Sequence, residues 1–420
     1  MKIVKNKSSF FVFSVIYIIL MLINCALTPS PYSALHSGKV GMYVNSTTFT
    51  LNPAFLLLFS VIVVYLIDFH KSKYTIKLNV GWLFAFIILL SGIINSRLFE
   101  SAKTYVYDLL VILFVCYLSI RDGDIQRNNT SQFDYDYKAM SYIMMALMMI
   151  GLILVYLASG KYGIIYFEFS RKSRGEVTIW SLFSVPVFLV IFSCINDLLK
   201  NKSKLLFIIT IISVIITLST ATRTQALLFM ICLFVTWLEQ DFNVKKLFGF
   251  GAFLCIVIFG FDIISDFFLL NQSSINSNTV SVILNGRFGL WEYYWNLFVT
   301  HPIIGYGPVS ISYEMGRLLG ATSEIGILKN ATTYGIFFVI VEIYVVLKAL
   351  RNSMIIIKSK EQFKYYDQMI VFLFWCCFPL IIQQHARILN YSDFIFWYSS
   401  FYLCYRLPKQ NIVNINNHLK

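Results

Sequence analysis

The sequence alternates between long apolar runs and short polar segments that carry most of the charged residues. An α-helix needs about 20 apolar residues to cross the hydrocarbon core of a bilayer. The pattern therefore predicts an all-α polytopic membrane protein with about twelve transmembrane helices, or about ten if one pair of short runs is re-entrant. The predicted spans are 10–27, 53–67, 81–96, 104–120, 139–158, 177–196, 205–219, 224–238, 247–268, 331–349, 366–384 and 393–405.

The distribution of Lys and Arg between the predicted loops sets the orientation of the helices. With the N-terminus in the cytoplasm, the segments on that side hold 22 of the 34 basic residues, and each holds at least two. Cytoplasmic loops are enriched in Lys and Arg, so we expect both termini in the cytoplasm. No stretch resembles a linker between folded modules, and residues 1–420 are predicted to form a single transmembrane domain.

The composition excludes several other classes of protein. The chain is 58% hydrophobic and 13% charged, whereas soluble domains carry about a quarter charged residues. The net charge of +13 is spread over short loops, which argues against nucleic-acid binding. All eight cysteines fall inside apolar runs, so neither a disulfide framework nor a zinc site is expected.

The first apolar run, residues 10–27, follows a basic start and lacks a cleavage site, and is therefore interpreted as a signal anchor.

Arginines on the predicted outer face run against the orientation bias. Arg171 and Arg174 crowd one outer loop, while Arg223 occupies a tight turn between two apolar runs. Arg287 lies in the longest outer segment. This placement predicts an anionic partner at the outer face. The alternatives are snorkelling to lipid headgroups or helix capping for Arg223, a structural tie for Arg287, and a solvated loop for the cluster.

The longest outer segment, residues 269–330, contains a predicted amphipathic helix. Trp291, Tyr294, Trp295 and Phe298 are spaced i, i+3, i+4 and i+7 and so share one helix face. An aromatic face of this kind suits the membrane interface. His301-Pro302 is predicted to end the helix, and Gly305-Tyr306-Gly307-Pro308 is predicted to form a turn.

Three motifs of the chain resemble those of one family of membrane enzymes. They are Asn285-Gly286-Arg287-x3-Trp291-x9-His301-Pro302-x2-Gly305-x-Gly307, Ser219-Thr220-Ala221-Thr222-Arg223-Thr224, and Ser323-Glu324-x-Gly326 followed by Thr333-Tyr334-Gly335-Ile336. They resemble motifs of the O-antigen polymerase and ligase superfamily, polytopic enzymes of bacterial surface polysaccharide assembly. Ligases often carry a His where this chain has Ser323-Glu324, which favours a polymerase (Wzy-type).

The resemblance implies a substrate, a reaction and a location. The implied substrate is an oligosaccharide repeat unit linked to undecaprenyl diphosphate, polymerised by glycosyl transfer at the periplasmic face of the bacterial inner membrane. The implied partners are that lipid-linked oligosaccharide, inner-membrane lipids, a chain-length regulator and a flippase. Two other functions stay open: an O-antigen ligase, and a flippase or transporter of lipid-linked oligosaccharide. A flippase would be expected to place charged residues inside its spans. In this chain nearly all charged residues lie in the loops, and the exceptions, such as Asp262, Asp266 and Glu342, lie near span ends or stand alone.

The implied chemistry needs groups that hold a diphosphate while its charge grows. Arginine binds phosphate oxygens bidentately and stays charged, so we expect Arg174, Arg223 and Arg287 to bind the diphosphate, with Arg171 in reserve. No acidic cluster on the predicted outer face is spaced for a metal ion. The enzyme is therefore predicted to use neither a metal nor another cofactor.

The acceptor hydroxyl also needs a base within hydrogen-bond reach. Glu324 is the first candidate and His301 the second, and they complete the predicted catalytic set with Arg287. The alternative role of His301 is to end a helix. Further candidate substrate contacts are Trp291, Tyr306, His385 and Arg387. For Trp291 the alternative is an anchor at the membrane interface.

Overall fold

The computed structural model of the chain describes residues 8–27, 53–69, 79–95, 99–128, 143, 146, 291–307, 326–358, 365–378 and 391–406. These residues are helical apart from short connections, and no strand occurs among them. Residues 291–300 form a helical segment. The other helices are α1 (Ser9–Leu27), α2 (Pro53–Phe69), α3 (Val80–Asn95), α4 (Phe99–Asn128), α5 (Gly326–Tyr334), α6 (Ile336–Lys358), α7 (Tyr365–Cys377) and α8 (Tyr391–Arg406).

The helices coincide with the first four and last three predicted spans. Within the described ranges, Thr104–Gln126 is the one helix both long and apolar enough to cross a membrane, with a mean hydropathy of 1.6. Ser9–Leu20, Leu56–Leu66 and Val80–Asn95 are shorter apolar helices. The predicted spans between 139 and 268 lie outside the described residues, except for positions 143 and 146. The number of spans and the orientation of the termini stay predictions.

The boundary of the tenth predicted span is wrong. The apolar run 331–349 is divided at Gly335, where α5 ends and α6 begins. Gly335 has a φ of +86°, a conformation that ends a helix and that residues with a Cβ rarely adopt. Hydropathy does not detect this break, because the residues on both sides of Gly335 are largely apolar or small.

The chain divides into two compact units. The first comprises Met1–Phe13, Leu57–Phe133 and Ser274–Lys420, and the second comprises Ser14–Leu56 and Asp134–Ser273. In the second unit the structure describes residues 14–27, 53–56, 143 and 146. The contacts that follow all lie within the first unit. The organisation of the whole chain as a single domain stays a prediction.

Helix α8 is the centre of the first unit. It packs against α4, α6 and α7, and its side chains from Asp393 to Cys404 are buried. Phe84 of α3 meets Phe338 of α6 and Trp397 of α8 edge-on, with ring centroids 4.8 and 5.4 Å apart. Side chains on all sides of α8 are thus buried, which is typical of a helix enclosed by others.

Helices α3 and α6 each carry a second apolar face that is exposed among the described residues. On α3 it comprises Trp82, Phe86, Leu89 and Ile93, and on α6 Phe337, Ile340, Tyr344 and Leu347, each more than 40% exposed. The spacing within each set places its members on one side of the helix. Exposed apolar faces of this length are typical of surfaces that contact lipid.

A buried carboxylate ties together four helices at one end of the unit. Asp122 of α4 accepts hydrogen bonds from the backbone N–H groups of Ser9 and Phe10, at 2.7 and 3.0 Å. The hydroxyl groups of Tyr366 and Tyr398 also donate to this carboxylate. The first N–H groups of a helix lack partners within it, so Asp122 caps α1 from a neighbouring helix. The start of α1, the end of α4 and the start of α7 therefore meet here.

An ion pair joins α7 and α8 at the same end. The carboxylate of Asp367 accepts hydrogen bonds from Nε of Arg406 at 2.7 Å and from a terminal guanidinium nitrogen of Arg406 at 3.1 Å. It also accepts a hydrogen bond from the hydroxyl of Tyr402. Burial lowers the pKa of Arg406, but the hydrogen bonds and charge of Asp367 raise it, and the net shift is upward. Such bidentate pairs fix the relative position of the two groups as well as their charge.

Candidate functional site

The helical segment 291–300 ends where the sequence predicts. The N–H of His301 donates to the carbonyl of Phe298 at 3.0 Å, and the N–H of Gly305 donates to the carbonyl of His301 at 3.0 Å. Pro302 has no N–H and cannot continue a helix. The prediction that His301-Pro302 ends this helix is confirmed, and the outgoing residues 301–307 form the outer loop, the name used for them below.

Two glycines of the outer loop adopt backbone conformations that favour glycine. Gly305 has a φ of +81° and Gly307 a φ of +105°. A Cβ at Gly305 would lie 2.5 Å from the carbonyl carbon and oxygen of Thr333, and one at Gly307 would lie 3.2 Å from the hydroxyl oxygen of Tyr105. Gly305 thus allows the loop backbone to approach that of α5 closely, and Gly307 allows it to approach the side chains of Asn95 and Tyr105. The predicted turn is confirmed over its described residues.

The outer loop satisfies the backbone groups that the α5–α6 junction leaves without helical partners. The N–H of Gly335 donates to Ala331 at 2.9 Å and caps α5. The N–H of Tyr306 donates to the carbonyl of Thr332 at 2.6 Å. In return, the carbonyl of Pro302 accepts the N–H of Ile336, the first residue of α6, at 2.8 Å. Loop and junction therefore form one hydrogen-bonded structure.

The last turn of α3 holds the outer loop from the other side. The hydroxyl of Ser91 donates toward the carbonyls of Ile304 and Thr333, at 2.9 and 3.2 Å. The side-chain amide of Asn95, one turn further on, donates to the carbonyl of Gly305 at 2.9 Å. Neither residue is a predicted site residue. Their signal in the sequence is weak, because polar residues at the end of a span are common.

A buried hydrogen bond lies beneath the outer loop, between α4 and α5. The hydroxyl of Tyr334 donates to the carboxylate of Asp108 at 2.5 Å, and both side chains are at most 4% exposed. Tyr105, one turn before Asp108, contacts the ring of Tyr334 edge-on at 6.0 Å. Asp108 falls inside a predicted span, and an ionisable residue inside a span is a candidate functional residue. The sequence contains this signal, but Asp108 is not among the predicted site residues.

A second buried carboxylate corrects the sequence-based interpretation of Glu342. In the sequence this residue stands alone among apolar neighbours. In the structure its Oε2 accepts a hydrogen bond from the side-chain amide of Asn330 at 2.8 Å, and it is 3% exposed. Glu342 is therefore not isolated. The expectation that charges lie almost wholly in loops is too strong, since Asp108 and Glu342 are both buried within helices.

The aromatic helix preceding the loop is confirmed over residues 291–300, but its aromatic side chains do not share one environment. Tyr294 is 5% exposed, whereas Trp295 is 54% exposed. The carbonyl of Tyr294 accepts the hydroxyl of Thr332 at 3.1 Å, which fixes this side of the helix to α5. The outward apolar stripe is Trp295, Val299 and Ile303, each more than 50% exposed. Trp291 is half-buried.

His301 and Tyr306 form the exposed part of the outer loop. Their rings meet edge-on with centroids 5.1 Å apart, and both side chains are exposed. The hydroxyl of Thr300 donates to the carbonyl of Leu297 at 2.7 Å, and its oxygen lies 2.9 Å from Nδ1 of His301. When Nδ1 carries the proton, it donates to this oxygen and Nε2 presents its lone pair. That tautomer is the one able to take a proton from a bound hydroxyl.

The structure describes three of the predicted site residues: Trp291, His301 and Tyr306. The other predicted residues lie outside the described ranges, namely Arg171, Arg174, Arg223, Arg287, Glu324, His385 and Arg387. Whether the arginines share a cavity with His301 stays a prediction. Among the described residues no group of three or more His, Cys, Asp or Glu side chains is arranged to hold a metal ion.

Comparison with known proteins finds one family similarity, over part of the chain. Residues 205–327 match a family model described as O-antigen ligase, and the matched range contains the outer loop and the start of α5. No curated protein and no solved structure matches the chain. Members of the matched family are integral membrane enzymes that transfer glycosyl groups of lipid-linked sugars. Over residues 205–327 the chain is therefore similar to the O-antigen ligase family.

Proposed function

We propose that the protein is a polymerase that joins undecaprenyl-diphosphate-linked oligosaccharide repeat units at the periplasmic face of the bacterial inner membrane. The observation that carries this proposal is the family match over residues 205–327, which contains the His301–Tyr306 loop. The rigid hydrogen bonding of that loop supports it, because transfer between two bound sugars requires accurately held side chains. The lipid-linked repeat unit, a chain-length regulator and a flippase are the proposed partners.

In the proposed reaction an acceptor hydroxyl oxygen attacks the anomeric carbon of the donor chain. The new glycosidic bond forms as the bond from the anomeric carbon to the phosphate oxygen breaks, and undecaprenyl diphosphate leaves with the electron pair. The hydroxyl proton passes to Glu324 or to Nε2 of His301. Arg174, Arg223 and Arg287 stabilise the charge that grows on the diphosphate, with Arg171 in reserve.

The exposed side chains near His301 supply a surface for the sugars. Tyr306 lies beside the imidazole, at a centroid distance of 5.1 Å, where a bound hydroxyl would meet Nε2. Trp291, His385 and Arg387 are further proposed substrate contacts. The stripe of Trp295, Val299 and Ile303 is apolar and exposed, and we assign it to the membrane interface, since aromatic and aliphatic side chains at this boundary anchor a helix.

A ligase is the second candidate function, because the matched family is described as O-antigen ligase. Both activities use the same donor and differ in the acceptor, which is another repeat unit for a polymerase and the lipid A core for a ligase. Deleting the gene and separating the cell's lipopolysaccharide on a gel distinguishes them. We expect the ladder to collapse to core plus one repeat unit. Core without any repeat unit would contradict the polymerase and indicate a ligase or a flippase.

Polymerisation by the purified protein is expected to continue in EDTA. The reason is chemical: the proposed arginines neutralise the diphosphate in place of a divalent cation. The measurement compares the length of products made from lipid-linked repeat units in EDTA and in magnesium. Activity that disappears in EDTA and returns with magnesium would show that a metal takes part.

A further inference from the structure

The C-terminal end of α3 contains two side chains that hold consecutive peptides of the outer loop. We propose that Asn95 and Ser91 are positioning residues of the transfer site, setting the direction in which Tyr306 and His301 face the substrate. This inference rests on the proposed function and adds residues that lie outside the matched range 205–327, at least 110 positions before it begins. Neither residue contacts the exposed face itself, so each acts through the backbone of the loop.

The peptide between Gly305 and Tyr306 is held at both of its polar atoms. Its carbonyl oxygen accepts the side-chain amide of Asn95 at 2.9 Å, and its N–H donates to the carbonyl of Thr332 at 2.6 Å. These partners belong to α3 and α5, so the peptide plane is fixed between two helices. The side chain of Tyr306 leaves the backbone at this peptide, and its ring contacts His301.

Ser91 fixes the preceding peptide and is itself fully occupied. A serine hydroxyl has one proton and two lone pairs. The proton points toward the carbonyls of Ile304 and Thr333. The lone pairs face the hydroxyl of Tyr105 at 3.1 Å and the amide of Asn95 at 3.4 Å. Ser91 is 1% exposed, and a buried network with all its members satisfied holds a single geometry.

The spacing of these two residues explains how one helix can serve consecutive peptides. Ser91 and Asn95 are four positions apart and so lie on the same face of α3. Gly92, between them, brings Tyr105 close: a Cβ at this position would lie 3.1 Å from the Tyr105 ring. The side chains reach the carbonyls of Ile304 and Gly305, neighbours in the loop. A shift of either donor would rotate the peptide and displace the ring of Tyr306.

The test uses Asn95→Asp, which keeps the size of the side chain but removes its N–H donors. Purified full-length protein is supplied with lipid-linked repeat units extracted from cells that lack the gene. We expect kcat to fall about tenfold or more, while KM for the lipid-linked unit changes by less than about twofold, because a misplaced group costs rate rather than binding. Asn95→Ala, which introduces no charge, is expected to show the same change.

The matched control is Asn79→Asp, the same substitution at the other end of the same helix. Asn79 accepts a hydrogen bond from the thiol of Cys116, and a carboxylate can still accept it, so kcat is expected to stay at the wild-type value. Melting temperatures of all variants are measured together with their rates. If both Asn95 variants polymerised the substrate with the wild-type kcat, the proposed positioning role would be wrong.

A double substitution separates positioning from general support of the fold. If Asn95 acts through Tyr306, the effect of Asn95→Asp on kcat is expected to shrink to less than about twofold when Tyr306 is already Ala. An effect that persists at full size in the Tyr306→Ala protein would contradict the inference. Failure of the wild-type protein to extend the extracted units would instead contradict the proposed function.

Discussion

Long-chain polysaccharide is expected to disappear from cells in which Arg287 is replaced by Ala. In the proposed mechanism the guanidinium group binds the diphosphate and stabilises its charge as the glycosidic bond breaks. Removing one such stabilising donor lowers the rate of comparable reactions about a hundredfold to a thousandfold. The measurement is a gel of surface polysaccharide together with an immunoblot of membranes, which establishes that the protein is present and inserted.

Two further variants make the result specific to Arg287. Arg287→Lys keeps the charge but not the planar pair of donors, and we expect chains of intermediate length or amount. Arg317→Ala removes another arginine of the same predicted outer segment that has no proposed role, and we expect normal chains. Polysaccharide of normal modal length in the Arg287→Ala cells would remove this residue from the mechanism.

Local patterns in the sequence correctly predict the helix before the outer loop and the end of that helix. The aromatic spacing predicts the helix that the structure describes at 291–300, and His301-Pro302 predicts its end. The glycines at 305 and 307 predict a turn and have positive φ angles. Each of these features depends on neighbouring residues alone, because helix periodicity, a missing proline N–H and glycine conformations act over a few positions.

The contacts that hold the site could not be predicted in the same way. Asn95 and Gly305 are separated by 210 positions, and Ser91 and Thr333 by 242. A hydrogen bond over such a distance depends on how the helices pack, and a single sequence contains no record of that packing. The division of the span at Gly335 was missed for a related reason. Its backbone conformation is stabilised by the outer loop, which supplies the partner for the N–H of Ile336.

For two buried carboxylates the sequence alone could have predicted that each has a hydrogen-bond partner. Asp108 lies inside an apolar run, and Glu342 does so too. Ionisable residues in such runs are costly unless they are paired, so partners were to be expected for both. The structure supplies them as Tyr334 and Asn330, both in α5. Helix α5 is thus tied to α4 and α6 by carboxylates, directly before the junction that the outer loop contacts.

These contacts bear on the choice between the two candidate bases. The outer loop meets α5 at Thr332 and Thr333, at the end of this helix. Gly326, where α5 begins, is about 10 Å away from these residues along the axis at 1.5 Å per residue. His301 lies within the described residues, with its Nδ1 2.9 Å from the hydroxyl oxygen of Thr300 and its ring beside that of Tyr306. Glu324 precedes α5 and lies outside the described residues, and its role as a base stays a proposal.

Replacing Gly335 by Ala is expected to lower the melting temperature of the purified protein strongly and to abolish polymerisation. At a φ of +86° any side chain is strained, which costs about 1–3 kcal/mol. The added Cβ would also lie 2.0 Å from the carbonyl oxygen of Ile303. Loop and junction would have to separate, breaking the 2.8 Å hydrogen bond from Ile336 to Pro302 and adding about 1 kcal/mol.

The matched control for this substitution is Gly123→Ala in α4. Gly123 lies within a helix, and a Cβ there would meet Tyr402 at 3.9 Å, an ordinary contact. Alanine is favoured over glycine inside a helix by about 0.5–1 kcal/mol, so the melting temperature is expected to stay the same or rise, with normal polymerisation. The two variants differ only in where one methyl group is added. If Gly335→Ala melted and polymerised like Gly123→Ala, the outer loop and the α5–α6 junction would not form the interlocked structure on which the position of His301 and Tyr306 depends.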